Sequence, residues 1–199
     1  RRAMSEDSTY SAQARGGADA YAAYYAGMDR SMQQKVALTT AYFPVRGVLC
    51  DLGCGSGAGS ADLANLHHDL HVIGVDVAPE SIAYARAHYQ RPNLEYQLGD
   101  IAQPLFADAS LDGALNSSVF HHLTSFNGFS TAAVRRSLDC QTAALKPGGV
   151  IIIRDFVAPA RGGAVLLDLP ERDGAGEDAG GPVAPLSTAR LFERFAADF

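Results

Sequence analysis

The sequence predicts an α/β fold built on a mostly parallel β-sheet, and three observations support this. Short apolar runs of strand length alternate with segments whose apolar residues recur at helical spacing. The first apolar run, 48–52, is followed by glycine at every second position, which indicates a tight turn after a buried strand. Strands and helices that alternate at this spacing favour parallel strands joined by right-handed crossovers.

The composition indicates one globular domain in a reducing compartment. The chain of 199 residues can form a sizeable core, and its net charge of −6 gives no general attraction for nucleic acid. Its three cysteines (Cys50, Cys54 and Cys140) form no CxxC pair, which predicts a cytoplasmic location. No apolar run of about 18 residues is present, so no membrane span is predicted. The chain begins Arg-Arg-Ala without an initiator methionine, so we expect a piece of a longer protein.

Residues 1–44 are predicted to be a helical lead-in to a main domain over 45–199. Apolar side chains recur there at three- and four-residue spacing, at Tyr21, Tyr24, Tyr25, Met28, Met32 and Val36. One interpretation packs this stripe on the sheet. The other makes the segment a lid, with Tyr24 or Tyr25 closing over a ligand. Pro44 ends the helix.

The remaining elements follow in order along the chain. Strands are predicted at 48–52, 71–75, 94–97, 111–116 and 150–153. Helices are predicted over 60–67, 79–86 and 131–145. The Lys-Pro-Gly-Gly segment at 146–149 is predicted to stop the third helix before the last strand. Residues 171–185 are predicted to be a mobile loop, and Ser187 is the predicted N-cap of a final helix.

The glycine turn is predicted to hold a small molecule at the carboxyl end of the first strand. We expect its three alternate glycines to expose backbone N–H groups and to leave room for a ligand. The spacing from Gly53 to Ala58 also satisfies the dinucleotide fingerprint, with Asp76 near the position of the ribose acid. Charge argues against a pyrophosphate, because Asp51 lies beside the place that it would take. A carboxylate there suits a cationic ligand with an amino group better.

Four segments in order resemble the class I S-adenosylmethionine-dependent methyltransferases. Asp-Leu-Gly-Cys-Gly-Ser-Gly at 51–57 resembles the family's first motif, and Asp76 matches the acid that takes the ribose hydroxyls. Gly-Asp-Ile at 99–101 is similar to the adenine-binding segment, and Leu-Lys-Pro-Gly-Gly at 145–149 to the turn before strand 5. The resemblance covers residues 45–156. It implies a Rossmann-like three-layer αβα sandwich with strand order 3-2-1-4-5 and S-adenosylmethionine as cofactor.

The resemblance also implies a set of cofactor-binding residues and a reacting end of the site. The cofactor-binding residues are Asp51, Gly53, Cys54, Gly55, Gly57, Asp76, Val77, Asp100, Ile101, Asn116 and Ser117. The segment 112–116 falls where the fourth strand delivers the reacting end. The family continues with strands 6 and 7, which we expect to be absent from this chain, so that a following domain or the rest of a longer protein covers that edge.

Candidate catalytic residues follow the fourth and fifth strands. His121 and His122 lie near the expected methyl acceptor, where a histidine could take a proton, and Asp155 is the third candidate. The alternatives are a structural or substrate-contact role for the histidines, and an ion pair between Arg154 and Asp155 that shapes the acceptor site. No metal is predicted, because Cys50 and Cys54 have no second ligand nearby and are interpreted as packing residues.

The expected reaction is direct in-line methyl transfer to a small molecule at O, N or C. Neither an Asn-Pro-Pro-Tyr nor a Pro-Cys motif follows the fourth strand, which argues against amino-methylating DNA enzymes and covalent cytosine chemistry. One alternative is a tRNA-modifying methyltransferase, because 118–124 and 150–156 resemble segments of eukaryotic tRNA-methylating relatives. Another is a non-catalytic cofactor-binding or scaffolding module. We expect no membrane partner, and leave open an oligomer or a further domain.

Overall fold

The computed structural model describes residues 40–128 and 130–156 in full, together with positions 25, 26, 29, 32, 36, 39, 166, 168, 169, 187–190, 192 and 193. The chain divides into two compact units, residues 1–156 and 157–199. The predicted loop at 171–185 lies outside the described residues, as do Tyr21, Tyr24 and Met28.

Five parallel strands form the sheet of the first unit. They are β1 (Gly47–Leu52), β2 (Leu70–Asp76), β3 (Leu94–Leu98), β4 (Leu111–Ser117) and β5 (Leu145–Arg154). The strand order is β3-β2-β1-β4-β5, and every neighbouring pair is parallel. The predicted fold class and strand order are therefore confirmed.

Four helices that begin and end within the described residues flank these strands. They are α1 (Ala58–Leu66), α2 (Pro79–His88), α3 (Phe120–Ser125) and α4 (Ala132–Ala144), and a short 3₁₀ turn (Thr40–Tyr42) precedes β1. Helix α2 begins at a proline, as predicted, because the missing N–H would have no partner in the first turn anyway. Helix α3 was not predicted.

The predicted turn between the last helix and the last strand lies inside β5. Leu111 pairs with Leu145 and Gly113 pairs with Val150, so two residues of β4 span five of β5. Residues 146–149 form an irregularity in this strand, with Gly148 at a φ of +84°. Helix α4 therefore ends at Ala144 by running directly into β5.

Side chains alternate between two cores on the two faces of the sheet. Cys50 and Ala114 point into one core, which also holds residues of α3 and α4. Leu49 and Leu115 point into the other, which includes α1 and residue Val36. Burial raises the pKa of the Cys50 thiol, so this cysteine is a packing residue, as predicted.

The described part of the N-terminal segment packs against the first unit. Tyr25 is 1% exposed, lies 4.8 Å from the Tyr84 ring and shares a hydrogen bond with the Ser81 hydroxyl. Met32 and Val36 pack into the core that contains Leu49. Tyr25 therefore packs against helix α2, since its hydroxyl and its ring both contact residues of that helix.

In the second unit, the described residues include the start of a helix. The Ser187 hydroxyl accepts a hydrogen bond from the Arg190 N–H at 3.3 Å, as expected of an N-cap. Within the residues that the structure describes, no helix is long and apolar enough to cross a membrane.

Candidate functional site

Three carboxylates lie at the carboxyl ends of three neighbouring strands. Asp51 is the fifth residue of β1, Asp76 ends β2, and Asp100 follows β3 after one intervening residue. Because the strands are parallel and adjacent, these acids meet at one edge of the sheet. None of the four ion pairs among the described side chains includes any of them. This edge is therefore acidic, and its carboxylates have no ion-pair partner among the described side chains.

The glycine turn after β1 is bonded to the end of β2. The N–H groups of Gly53 and Cys54 both donate to the Val75 carbonyl, at 2.8 and 2.9 Å. The N–H of Gly55 donates to the Asp76 carboxylate at 2.9 Å. The prediction that the glycines expose their N–H groups is wrong, because these donors are used inside the turn. The turn consequently offers little to a phosphate group.

Two of the glycines are required by close packing. Gly57 has a φ of +86°, and a Cβ there would lie 2.7 Å from the Ala85 Cβ and within 3 Å of the Tyr96 hydroxyl. Gly53 has a φ of +78°, and its Cβ would lie 2.5 Å from a methyl of Val119. A side chain at either position would push α2 or the start of α3 away from the turn.

Asp51 is the most deeply buried acid of this edge. Its side chain is 5% exposed and accepts a hydrogen bond from the Ser60 hydroxyl at 2.6 Å. Burial raises the pKa of Asp51 to about 6, against the opposing effect of the Ser60 bond, and the nearby Asp76 raises it further. A cationic group beside Asp51 would relieve both effects.

The other two acids are fixed by backbone N–H donors of the loops at this edge. Asp76 accepts from the N–H groups of Gly55 and Ala78, both at 2.9 Å, and burial raises the pKa of Asp76 despite these bonds. Asp100 accepts from the Ala102 N–H at 2.9 Å. Each carboxylate keeps accepting capacity beyond these bonds, since two oxygens offer about four lone pairs. Val77 beside Asp76 is half-buried.

Ile101 and Asn116 face the core that contains Cys50. Ile101 is 7% exposed and packs there. The Asn116 amide is fully buried and exchanges two hydrogen bonds with Gln141 of α4, at 2.8 and 3.1 Å. The polar groups of the Asn116 side chain are thus used within the protein. Gln141 carries no local signal in the sequence, so sequence reasoning missed it.

A cavity lies on the opposite face, beside Asp51. Its lining residues are Met32, Val36, Thr39, Asp51, Gly53, Cys54, Gly59, Leu115, Ser117 and Ser118. It is bounded by the turn after β1, the end of β4 and the described part of the N-terminal segment. Asp51 and Ser117, both predicted to bind the cofactor, therefore line the same cavity.

Asp112 lies at the other end of the sheet. Its carboxylate accepts from the Val48 N–H at 2.8 Å and from the Lys146 ammonium at 2.7 Å. These bonds join β4 to the starts of β1 and β5. The prediction that 112–116 lies at the reacting end of the site is therefore wrong for Asp112, because Asp112 lies near the amino end of β4 and the site lies at the carboxyl end.

His121 and Asp155 form a bonded pair after β4 and β5. The His121 Nδ1 lies 2.7 Å from Asp155 Oδ1, and Asp155 Oδ2 accepts from the Phe120 and His121 N–H groups at 2.7 and 3.2 Å. Partial burial acts to raise the pKa of Asp155, but bonds from the Phe156 N–H and from His121 outweigh it and hold that pKa below its usual range. Asp155 is therefore ionised at neutral pH.

The second histidine lies against aromatic rings. The His122 ring is stacked 5.6 Å from Phe126 and lies 4.1 Å from the His121 ring. The predicted alternative of an Arg154–Asp155 ion pair is wrong, because the described ion pairs join Asp155 to His121 instead. His121 has a carboxylate partner in Asp155.

The fold and the site together define a class of protein. An acidic strand edge whose turn offers few free N–H donors fits a ligand with an amino group and hydroxyl donors, as in a cationic nucleoside, better than a pyrophosphate. The sequence model of the methyltransferase domain family matches residues 50–153, just over half of the chain. The chain belongs to this family of S-adenosylmethionine-dependent enzymes, and S-adenosylmethionine is its cofactor.

Curated relatives share up to about a third of their residues with this chain in the matched region. The chain is 30% identical to a fatty-acid O-methyltransferase of Mycolicibacterium smegmatis over 129 residues, which are 65% of this chain and 42% of that protein. It is 34% identical to a ubiquinone biosynthesis O-methyltransferase of Cereibacter sphaeroides over 116 residues, 57% of this chain and 43% of that one. The chain thus spans less than half the length of these relatives.

Solved structures show the same architecture. A putative methyltransferase of Haloferax volcanii, in complex with the Trm112 methyltransferase activator, matches with a TM-score of 0.58 at 27% identity, covering 70% of this chain and 58% of that one. A phosphoethanolamine N-methyltransferase of Haemonchus contortus, bound to phosphomonomethylethanolamine and S-adenosylhomocysteine, matches with a TM-score of 0.52 at 25% identity, covering 61% and 27%.

Proposed function

We propose that this chain transfers the methyl group of S-adenosylmethionine in line to a small-molecule acceptor at O, N or C, with oxygen favoured. The observation that carries the proposal is the placement of the acidic edge of β1, β2 and β3 beside the His121–Asp155 pair after β4 and β5. Relatives that are named as O-methyltransferases support the choice of oxygen.

The acidic edge is proposed to hold the cofactor. Asp51 would face its amino group and Asp76 its ribose hydroxyls, as the family resemblance implies. Asp100 would accept from the adenine amine, and Ile101 would pack on the ring. When bound, the cofactor supplies an electrophilic methyl group on a sulfonium. The protein then contributes alignment, exclusion of water and a base.

His121 is proposed as the base for a hydroxyl acceptor. Because Asp155 is ionised, it accepts a hydrogen bond from Nδ1–H, which leaves the Nε2 lone pair of the neutral ring available. The hydroxyl proton would pass to Nε2 as the new O–CH₃ bond forms and the S–CH₃ bond breaks. Asp155 orients the ring and stabilises the imidazolium that results.

Residues 1–44 are proposed to cover this site, and 45–199 to form the methyltransferase domain. The support for the cover is that Met32, Val36 and Thr39 line the cavity beside Asp51. They pack against the sheet face that carries the first acid, where they would limit access of water.

Binding and transfer test the proposal separately. Titration calorimetry should show S-adenosylmethionine binding and no comparable NAD binding; tight NAD binding alone would overturn the cofactor assignment. Methyl transfer from labelled cofactor into a metabolite extract should then exceed that of His121→Gln by about 10²-fold or more. Cofactor binding without transfer to any acceptor, by the chain in its full natural length, would favour the scaffolding module.

A tRNA acceptor is the second candidate, and the resemblance of 118–124 and 150–156 to segments of tRNA-methylating relatives supports it. The net charge of −6 weighs against direct RNA binding, so such an activity would draw its basic surface from a partner. Labelled methyl transfer into total tRNA, with and without a Trm112-type activator, tests this candidate. Absence of incorporation in both reactions excludes it.

A further inference from the structure

Arg154 ends β5 as a half-buried cation with a single hydrogen-bonded side-chain partner among the described residues. One guanidinium nitrogen donates to the Ser118 hydroxyl at 3.1 Å. An arginine carries five N–H donors, so four remain without a partner in the described part of the chain.

The guanidinium lies on the cavity side of the sheet. Arg154 pairs with Ser117 across β4 and β5, and Ile152 pairs with Leu115 two residues earlier. Leu115 and Ser117 both line the cavity beside Asp51. Paired residues of neighbouring strands point to the same face, so the side chain of Arg154 projects toward the cavity rather than toward α4.

No acid in the described part of the chain forms an ion pair with this cation. The neighbouring Asp155 carboxylate is held by His121 and by the N–H groups of Phe120 and Phe156. None of the ion pairs between described side chains includes Arg154. The cofactor edge of the site is therefore acidic, whereas Arg154 at the end of β5 is a cation without an acidic partner among the described residues.

The serine that holds Arg154 has an unusual backbone. Ser118 adopts a φ of +58°, a left-handed conformation that is unfavourable for a residue other than glycine. Its N–H donates to the Arg154 carbonyl at 2.7 Å while its hydroxyl accepts from the guanidinium. Ser118 thereby fixes both the backbone and the side chain of Arg154 beside the cavity.

We propose that Arg154 binds an oxyanion of the methyl acceptor, a carboxylate or a phosphate group, and that Ser118 positions the guanidinium for it. This inference rests on the proposed function and narrows it to acidic acceptors. A planar guanidinium with two free N–H groups side by side can bind two oxygens of such a group at once. The anion would supply a counter-ion that Arg154 does not find among the described side chains.

Calorimetry on the full chain saturated with S-adenosylhomocysteine tests the inference. The probes are benzoate, inorganic phosphate and the neutral benzamide. Wild type should bind at least one anion, Arg154→Gln should bind it at least about tenfold more weakly, and Arg154→Lys should retain part of the affinity. Benzamide should bind equally to wild type and Arg154→Gln. Equal anion affinity in wild type and Arg154→Gln, or no anion binding to wild type at millimolar concentration, would overturn the inference.

Two controls separate the possible causes of a loss. Arg136→Gln removes one positive charge from an exposed position of α4 and should bind the anion like wild type; an equal loss there would mean general electrostatics and refute the site. S-adenosylhomocysteine should bind Arg154→Gln as tightly as wild type, which excludes misfolding. If wild type binds cofactor and transfers methyl groups but ignores both anions, the proposed function stands and the inference fails.

Discussion

Replacement of Asp51 by asparagine is expected to stabilise the cofactor-free protein at neutral pH. Burial raises the pKa of this carboxyl from an ordinary 3.8 to about 6 in the folded chain. Below the ordinary value the group is protonated in both states and carries no ionic penalty. As the pH rises from about 3.8 to about 6, the Asp51 carboxyl loses its proton in the unfolded chain before it does so in the folded chain. Folding therefore becomes progressively less favourable.

The size of the effect follows from the shift. Roughly two pKa units correspond to ~3 kcal/mol of unfolding free energy, reached in full above about pH 7. Asp51→Asn removes this dependence while asparagine still accepts from the Ser60 hydroxyl. The stability difference between variant and wild type should therefore grow by about 2–2.5 kcal/mol from pH 4 to pH 8, because the unfolded carboxyl is already more than half ionised at pH 4.

Urea unfolding at pH 4, 6 and 8 measures this difference directly. Asp108→Asn, at an exposed position, is the matched control and should show little growth. The same variant of Asp51 should bind S-adenosylmethionine more weakly, because the amino group loses its carboxylate. A stability difference for Asp51→Asn that is unchanged between pH 4 and pH 8 would refute the reasoning.

Three further predictions concern the pair after β5, the buried amides and the turn. Asp155→Asn should lower methyl transfer to a hydroxyl acceptor by about tenfold or more with little change in cofactor affinity, because the His121 ring loses its anionic partner; steady-state kinetics and calorimetry measure the two quantities. Gln141→Leu should reduce the free energy of unfolding by about 1–3 kcal/mol, since the buried Asn116 amide loses both bonds, as measured in urea. Gly57→Ala should destabilise the protein by more than ~1 kcal/mol in the same assay, because of its positive φ and its close contacts.

Each of these changes has a comparison that isolates its cause. Gly128→Ala places the same side chain at a φ of +60° with no atom within 4 Å, so it reports backbone strain alone. Equal destabilisation by the two alanines would contradict the packing argument. A Gln141→Leu variant as stable as wild type would contradict a stabilising role for the hydrogen bonds between Asn116 and Gln141. Loss of cofactor affinity in Asp155→Asn would show that Asp155 acts in cofactor binding and would contradict its proposed role beside the acceptor.

Local patterns were sufficient to predict the sheet and its acidic edge. The apolar run before Asp51, the glycines after it and Pro79 at the start of α2 are each encoded within a few residues. The strand order came from the family resemblance. The positions of Asp51 and Asp76 at one edge of the sheet follow directly from that order.

Long-range bonds explain what the sequence did not reveal. Helix α3 has no capping side chain of its own, and its first N–H groups donate instead to Asp155, some 35 positions later. Arg154 and Asp155 are neighbours in the chain but serve different partners, Ser118 and His121. A pattern search that compares nearby residues cannot detect such pairs.

The double acceptance by the Val75 carbonyl has a consequence for how the cofactor is recognised. By accepting from both Gly53 and Cys54, this one oxygen holds the turn after β1 to the end of β2 in the cofactor-free protein. The conformational entropy of the turn is therefore lost during folding and not during binding. The site is therefore already formed before the cofactor binds. Cofactor analogues with a longer or shorter link between the amine and the ribose should bind more weakly because they do not fit it, and not because the turn has to rearrange.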